Sequence, residues 1–136
     1  MFVKICGITT PADAEVVAEA GADAIGLNFA PMSRRRIDLD QARAIIDSVP
    51  DHVLVVGIFR DHLAREVLEV VEALDLRSVQ LHGSETPQTS RTVHDAVPVL
   101  IRALPAGDPQ LSSVDDHGAD VVLLDAPTPG GGEPFD

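Results

Sequence analysis

The chain has 136 residues, a net charge of −12 at pH 7, 45% apolar residues and only 3% aromatic ones. That length allows one domain with a sizeable core, and the apolar fraction excludes a disordered chain. The acidity excludes nucleic acid and anionic membrane as main partners, since both need a basic face, but it leaves room for a small anionic substrate held by local positive charge.

The opening residues carry no basic segment followed by a long apolar stretch, so Phe2–Ile5 reads as a first strand and not as a leader. Thr10-Pro11-Ala12-Asp13 then has the pattern of a helix start: a capping hydroxyl, a Pro at the first helical position and an acid in the first turn. Val16, Val17 and Ala20 form an inward stripe, and Gly21 closes the helix. A second strand is predicted over Ala24–Phe29, and a second helix over Leu39–Ser48 is capped by Asp38, with Leu39, Ala42, Ile45 and Ile46 inward. Val53–Phe59 is the third strand. Asp61 is the predicted cap of a helix running through Leu74, with Leu63, Val67, Val70, Val71 and Leu74 at helical spacing. Ser78–Leu81 is a fourth strand, Pro87 opens a weaker helix to about Asp95, and Val97–Ala103 is a fifth strand. Asp108-Pro109 opens a fifth helix ending near Gly118, and Asp120–Asp125 is a sixth strand.

The order is therefore (βα)5β within one unit, residues 1–136, with no linker, low-complexity tract or sequence repeat. The strand runs are near-continuously apolar, as strands covered on both faces require. Strict alternation implies a parallel sheet of the α/β class. Two architectures fit: an open doubly wound sheet or a TIM-type (β/α)8 barrel. The first turn, Cys6-Gly7-Ile8-Thr9-Thr10, lacks a dinucleotide-binding glycine pattern, although a flavodoxin-like sheet still fits the strand count. The strand ends favour the barrel, here a partial one. Polar or reactive residues close nearly every strand: Cys6, Asn28, Arg60 with Asp61, Gln80 with His82, Arg102 and Asp125. Barrel enzymes gather their chemistry at those ends, whereas Asn28, Arg60 and Arg102 could equally be polar only because they meet solvent. One cysteine excludes an internal disulfide, and no apolar run reaches membrane-spanning length, so a reducing, cytoplasmic setting fits.

Several strings then bear a family likeness. Val3-Lys4-Ile5-Cys6-Gly7-Ile8-Thr9 resembles the first strand and loop of phosphoribosylanthranilate isomerases of tryptophan biosynthesis. Gly21 to Phe29 resembles their second strand, Ser33-Arg34-Arg35 with Ile37 their second loop, and Val56-Gly57-Ile58-Phe59 their third strand. Val79-Gln80-Leu81-His82-Gly83 and Leu123-Leu124-Asp125 resemble the fourth and sixth strands, and Pro129 to Gly132 with Phe135-Asp136 a following glycine-rich loop. The likeness implies a cofactor-free, metal-free Amadori rearrangement of N-(5-phosphoribosyl)anthranilate, with Asp125 as general acid and Cys6 as general base. It also implies Arg35 as the arginine for the anthranilate carboxylate, while Arg34 and Arg36 read as solvated loop charges.

The residues allow these roles without requiring them. A thiol must be held as thiolate to act as a base, and Lys4, two residues earlier on the same strand, shares its face and supplies positive charge. Cys6 alone reads equally as a small buried hydrophobe, Asp125 as a loop cap and Lys4 as the partner of a buried acid. Gln80 and His82 also share a face and would line the substrate pocket. A complete barrel needs about 200 residues and eight strands, so the chain reads as a C-terminally truncated barrel with two open edges, weakly active or inactive by itself and prone to self-association. A non-catalytic interaction module and another sugar-phosphate isomerase or lyase are the competing readings.

Overall fold

The computed structural model describes residues 1–127. The glycine-rich loop of Pro129 to Gly132 and the terminal Phe135-Asp136 lie outside the described residues. Six strands alternate with helices: β1 (Lys4–Cys6), α1 (Pro11–Glu19), β2 (Ala24–Asn28), α2 (Leu39–Ser48), β3 (Leu54–Phe59), α3 (Ala64–Leu74), β4 (Ser78–Leu81), α4 (Pro87–His94), β5 (Val99–Pro105), a 3₁₀ segment (Pro109–His117) and β6 (Val121–Asp125).

All pairings are parallel, and the spatial order is β1-β2-β3-β4-β5-β6. A doubly wound sheet reverses its winding at a switch point, and this sheet never does, so the flavodoxin-like alternative is excluded. The chain forms a curled part of a β/α barrel. Two separate apolar clusters mark its faces. Ala24, Val56, Ile58 and Ile101, with Cys6, Leu54, Val99 and Leu123 against them, fill the inner face. Ile25, Leu27, Phe59, Val79, Leu81 and Leu100 belong to a larger cluster that includes α-helical Ala42, Ile45, Val67, Val71 and Val93 on the outer face.

The helix starts largely follow local rules. Thr10 Oγ1 accepts from Asp13 N at 3.1 Å, Asp38 and Gln41 exchange bonds in a capping box, and Thr86 Oγ1 accepts from Thr89 N at 3.2 Å. Three expectations need correction. Val16 points outward, 65% exposed, and α1 instead turns Ala14, Val17 and Ala18 to the core. Asp61 does not cap α3. Its backbone is left-handed (φ 56°) and its carboxylate accepts from Ser84 N, while Glu66 Oε2 takes the Leu63 N–H at the helix start. The fifth connection is 3₁₀ and kinked at Ser113, because Ser112 and Ser113 hydroxyls bond back to the carbonyls of Pro109 and Gln110 and compete with the α ladder.

A three-residue repeat also emerges. Gly21-Ala22-Asp23 precedes β2, and Gly118-Ala119-Asp120 precedes β6, with both glycines at positive φ. Asp23 N donates to Val3 O while its carboxylate accepts from Val3 N at 2.7 Å, and Asp120 makes the same reciprocal pair with Leu100, also at 2.7 Å. Each acid thus locks the start of its strand to the neighbouring chain.

His117 closes the 3₁₀ segment. Its ring is 1% exposed, with Nδ1 at 2.7 Å from Ser90 Oγ on α4. Burial, helped by the Arg102 charge, pushes its pKa below the usual histidine value, although Glu85 and Asp116 oppose the shift. The unfolded chain therefore binds a proton that the folded chain refuses. Stability is full above about pH 6.5 and falls as pH drops from there towards the lowered folded value, by up to about 1.4 kcal/mol per pH unit. In urea titrations, His117→Asn should flatten this slope between pH 7 and 5. An unchanged slope would sink the assignment.

Candidate active site

The register sends alternate residues of each strand inward, and at the carboxyl ends of β1, β2, β4 and β6 those residues, or the one just beyond, are polar or reactive: Cys6, Asn28, Gln80 with His82, and Asp125. On β1, Lys4 and Cys6 face in, level with Ala24 and Gly26 of β2. A methyl group at Gly26 would lie 2.7 Å from Ile58 Cδ1 and 3.5 Å from Cys6 Sγ, so this glycine opens the space beside the thiol. Nothing but a glycine inside an apolar strand marked it in the sequence. Lys4 shares the face of Cys6, as period two requires, and among the described residues no carboxylate lies within 4.0 Å of its ammonium. The paired-acid alternative for Lys4 therefore fails there.

The loop from β2 to α2 brings Arg35 back over β1. Its Nη1 donates to Cys6 O at 3.0 Å, and its own N–H is held by Ser33 Oγ. Gly7 has φ 78°, and a Cβ there would lie 2.5 to 2.6 Å from the guanidinium of Arg35. Only a bare backbone lets the arginine rest on this turn. Arg36 forms a bridge with Asn28 instead, and Arg34, an exposed loop residue, joins Arg35 in lining a cavity.

On β4, Gln80 and His82 share the inner face, with Gln80 Nε2 at 3.4 Å from His82 Nδ1. His82 Nε2 lies 3.1 Å from Asp125 Oδ2 at the end of β6, an ion-pair distance without hydrogen-bond alignment. The two side chains are 25% and 28% exposed. Among the described residues, Ser78 Oγ and Gln80 Oε1, both on the inner face of β4, are buried with no hydrogen-bond partner. Asp125 Oδ1 accepts from Ala126 N at 2.8 Å, which orients the carboxylate.

A cavity of about 930 Å³ opens at this rim, lined by residues including Asn28, Arg34, Arg35, Ile58, Arg60 and His82. A smaller hollow of about 390 Å³, between Val49, His52 and Arg77, lies at the opposite, amino end of β3 and β4 and holds none of these groups. The larger cavity concentrates three guanidinium groups in an otherwise acidic chain, next to a thiol on one side and a histidine–carboxylate pair on the other. That arrangement can bind an anionic substrate and move protons across it. Of the six residues expected at the site, Arg35 and His82 line this cavity, Cys6 lies against Arg35, Gln80 and Asp125 lie beside His82, and Lys4 stands apart at the start of β1. Arg102 does not join them. It lies on the outer face, fully buried against Glu85. Among the described residues, no three His, Cys, Asp or Glu side chains cluster as metal ligands, and no helix is long and apolar enough to cross a membrane.

The family model described as N-(5'phosphoribosyl)anthranilate (PRA) isomerase matches residues 3–136. The N-(5'-phosphoribosyl)anthranilate isomerase of Pseudomonas putida GB-1 is 44% identical over 137 residues, covering 98% of this chain, and that of Deinococcus radiodurans is 41% identical over 138 residues. The chain spans 66% of the length of each of these relatives. The crystal structure of phosphoribosyl anthranilate isomerase from Thermus thermophilus superposes with TM-score 0.92 at 41% identity, covering 100% of this chain and 68% of that one. A second isomerase structure, in complex with reduced 1-(o-carboxyphenylamino)-1-deoxyribulose 5-phosphate, superposes at 0.83 with 34% identity, covering 93% of this chain and 65% of that one.

The Gly7–Arg35 contact has a direct test. Gly7→Ala must adopt a left-handed backbone and displace the guanidinium, so it should lose about 1–3 kcal/mol of stability in urea titration and release Arg35 from Cys6 O. A fully stable variant with unchanged Arg35 side-chain resonances would contradict this account of the turn.

Proposed function

Because the chain belongs to the N-(5'-phosphoribosyl)anthranilate isomerase family, we propose that it acts in tryptophan biosynthesis, converting N-(5-phosphoribosyl)anthranilate to 1-(2-carboxyphenylamino)-1-deoxyribulose 5-phosphate. The observation that carries this reading is the placement of a thiol and a carboxylate, Cys6 and Asp125, on the inner rim of one curled sheet, with Arg35 held against the first and His82 beside the second.

The reaction is a proton relocation and needs no outside reagent. Asp125, as general acid, protonates the ribose ring oxygen as the bond from C1 to that oxygen breaks, leaving an iminium at C1. Cys6, as a thiolate, removes the C2 proton, and the electron pair neutralises the iminium to an enolamine. Protonation at C1 and loss of the proton on the C2 hydroxyl give the ketone, so atoms and charge balance. His82, 3.1 Å from the Asp125 carboxylate, stands beside that group and can hydrogen-bond it when ring and carboxylate align. Arg35 matches the anthranilate carboxylate, because a planar guanidinium binds a carboxylate through two parallel bonds. Gln80, whose carbonyl is buried and unpaired among the described residues, is a ready acceptor for a sugar hydroxyl. Lys4, on the same inner face as Cys6, supplies a positive charge for an anionic group of the substrate.

The lone cysteine fits a reducing compartment, and the reading places the protein in the cytoplasm. Among the described residues β1 and β6 each pair on one side only, and Val121, Val122 and Leu124 are exposed. Unpaired, apolar strand edges favour self-association of this chain.

Cys6→Ala and Asp125→Asn should each reduce turnover of N-(5-phosphoribosyl)anthranilate at least about a hundredfold while leaving the circular dichroism unchanged. Arg35→Lys should act mainly through KM. Turnover near the parent rate in either of the first two variants would overturn the acid–base assignment.

A further inference from the structure

Among the described residues Arg102 is the largest fully buried side chain, and its shortest bonds converge on the loop after β4, with longer ones, both 3.3 Å, to Ala103 O and Gln110 Oε1. Nη1 donates to Leu81 O at 3.0 Å and to Glu85 Oε2 at 2.9 Å, and Nη2 donates to Gly83 O at 2.7 Å. Leu81 and Gly83 are the two neighbours of His82. Glu85 completes the brace: Oε2 also accepts from Gly83 N at 2.8 Å, and Oε1 accepts from Asp61 N at 2.9 Å. Asp61 in turn accepts from Ser84 N at 2.6 Å, and His82 N donates to Phe59 O at 2.9 Å. The amides of His82, Gly83 and Ser84 are thereby tied, and one guanidinium holds the carbonyls of Leu81 and Gly83 on either side of His82.

Stability alone is a weak reason for such a pair. Taking two charges out of water costs about as much as their attraction returns, and packed apolar residues of similar volume often serve as well. A guanidinium does what an apolar residue or a lysine cannot: its rigid fork bonds a carboxylate and two separate carbonyls at fixed angles.

We propose that Arg102, with Glu85, is a positioning residue for the reaction: it sets His82 from the outer face of the sheet, and through His82 the orientation of the Asp125 carboxylate. The kinetic consequence rests on the acid–base reading above; the geometric one does not. Arg102→Lys keeps the charge beside Glu85 but loses the fork, and Glu85→Gln keeps an acceptor for Asp61 N while removing the charge.

Two measurements test this on the full 136-residue chain. In the first, kcat per folded molecule should fall about ten- to a hundredfold in Arg102→Lys, and less in Glu85→Gln, with KM moving less than about threefold. In the second, ¹H–¹⁵N spectra of the histidine rings follow His82, identified by its loss in His82→Asn. Asp125→Asn should shift the His82 ring signals in the parent, and that response should shrink by at least about half in the Arg102→Lys background. A purely structural Arg102 would lower the unfolding midpoint yet leave both kcat per folded molecule and the His82 response intact, and either intact result overturns the proposal. Should Arg102→Lys fail to fold, Glu85→Gln carries both measurements. A parent chain without turnover would silence the kinetic measurement alone, and the ring spectra would then decide the positioning.

Discussion

A side chain on a strand can face only one of two ways, and in this sheet the choice is imposed six times over. Parallel pairing in strict chain order keeps the registers coupled, so Cys6, Gly26 and Val56 stand level across three strands, as do Asn28, Ile58, Gln80 and Ile101 across four. A one-residue slip in any strand would send its inner residues under the helices and its apolar outer residues into the cavity. The large outer cluster forbids that slip, because Leu27, Phe59, Leu81 and Leu100 fill it almost without exposure. The chemistry at the rim is thus aimed by apolar packing on the opposite side of the sheet.

The same partition explains where charge is buried. The cavity-facing polar groups Asn28, Arg60 and His82 lie at the carboxyl end, while Ser78 and Gln80 are buried below them on the inner face. Arg102 is the exception, fully buried on the apolar side. Desolvation lowers its pKa, and the neighbouring Glu85, Asp108 and Asp61 charges oppose that shift. Its cost is offset only because every donor direction but one finds an acceptor; among the described residues Nε alone lacks one. Gly83 belongs to the same economy of space. A side chain there would run into the Asp61 carboxylate and lie 2.8 Å from Asp61 N, so the loops after β3 and β4 can close on each other only across a glycine.

Strand and helix order was legible in the sequence because both signals are local: unbroken β-branched runs, and Thr-Pro or Asp–Gln starts before amphipathic stretches. The pairing of Lys4 with Cys6 on one face, and of Gln80 with His82, followed from period two. What escaped was what depends on distant partners. Asp61 looks like a helix cap until Ser84, far along the chain, is seen to claim its carboxylate. Glu85, before Thr86-Pro87, looks like one more solvated acid in an acidic chain, yet it is 5% exposed. Arg102 ends an apolar run just as Cys6 and Asp125 do, and only the register with Leu81 shows that it faces the other way. The strings shared with the isomerases located the rim residues, while the brace beneath them carried no local signal.

The two ends of the sheet do different work. At the amino end, the Gly-Ala-Asp turns before β2 and β6 pin each strand start by a reciprocal pair of bonds to a neighbour, and Asp120 also lies 2.9 Å from His94 Nε2. Nothing there faces the large cavity. At the carboxyl end the fixing is indirect: backbone carbonyls are held from behind by Arg102, and backbone amides by Glu85 and Asp61. The side chains that face the cavity are left with free polar atoms. This division follows from a conflict. A group that must exchange protons with a substrate cannot also spend its lone pairs on holding the fold, so the holding is transferred to residues on the outer face and to the amino-end turns. His82 shows the outcome most clearly, since its position is set through Leu81, Gly83 and Phe59 while its ring remains turned towards Asp125.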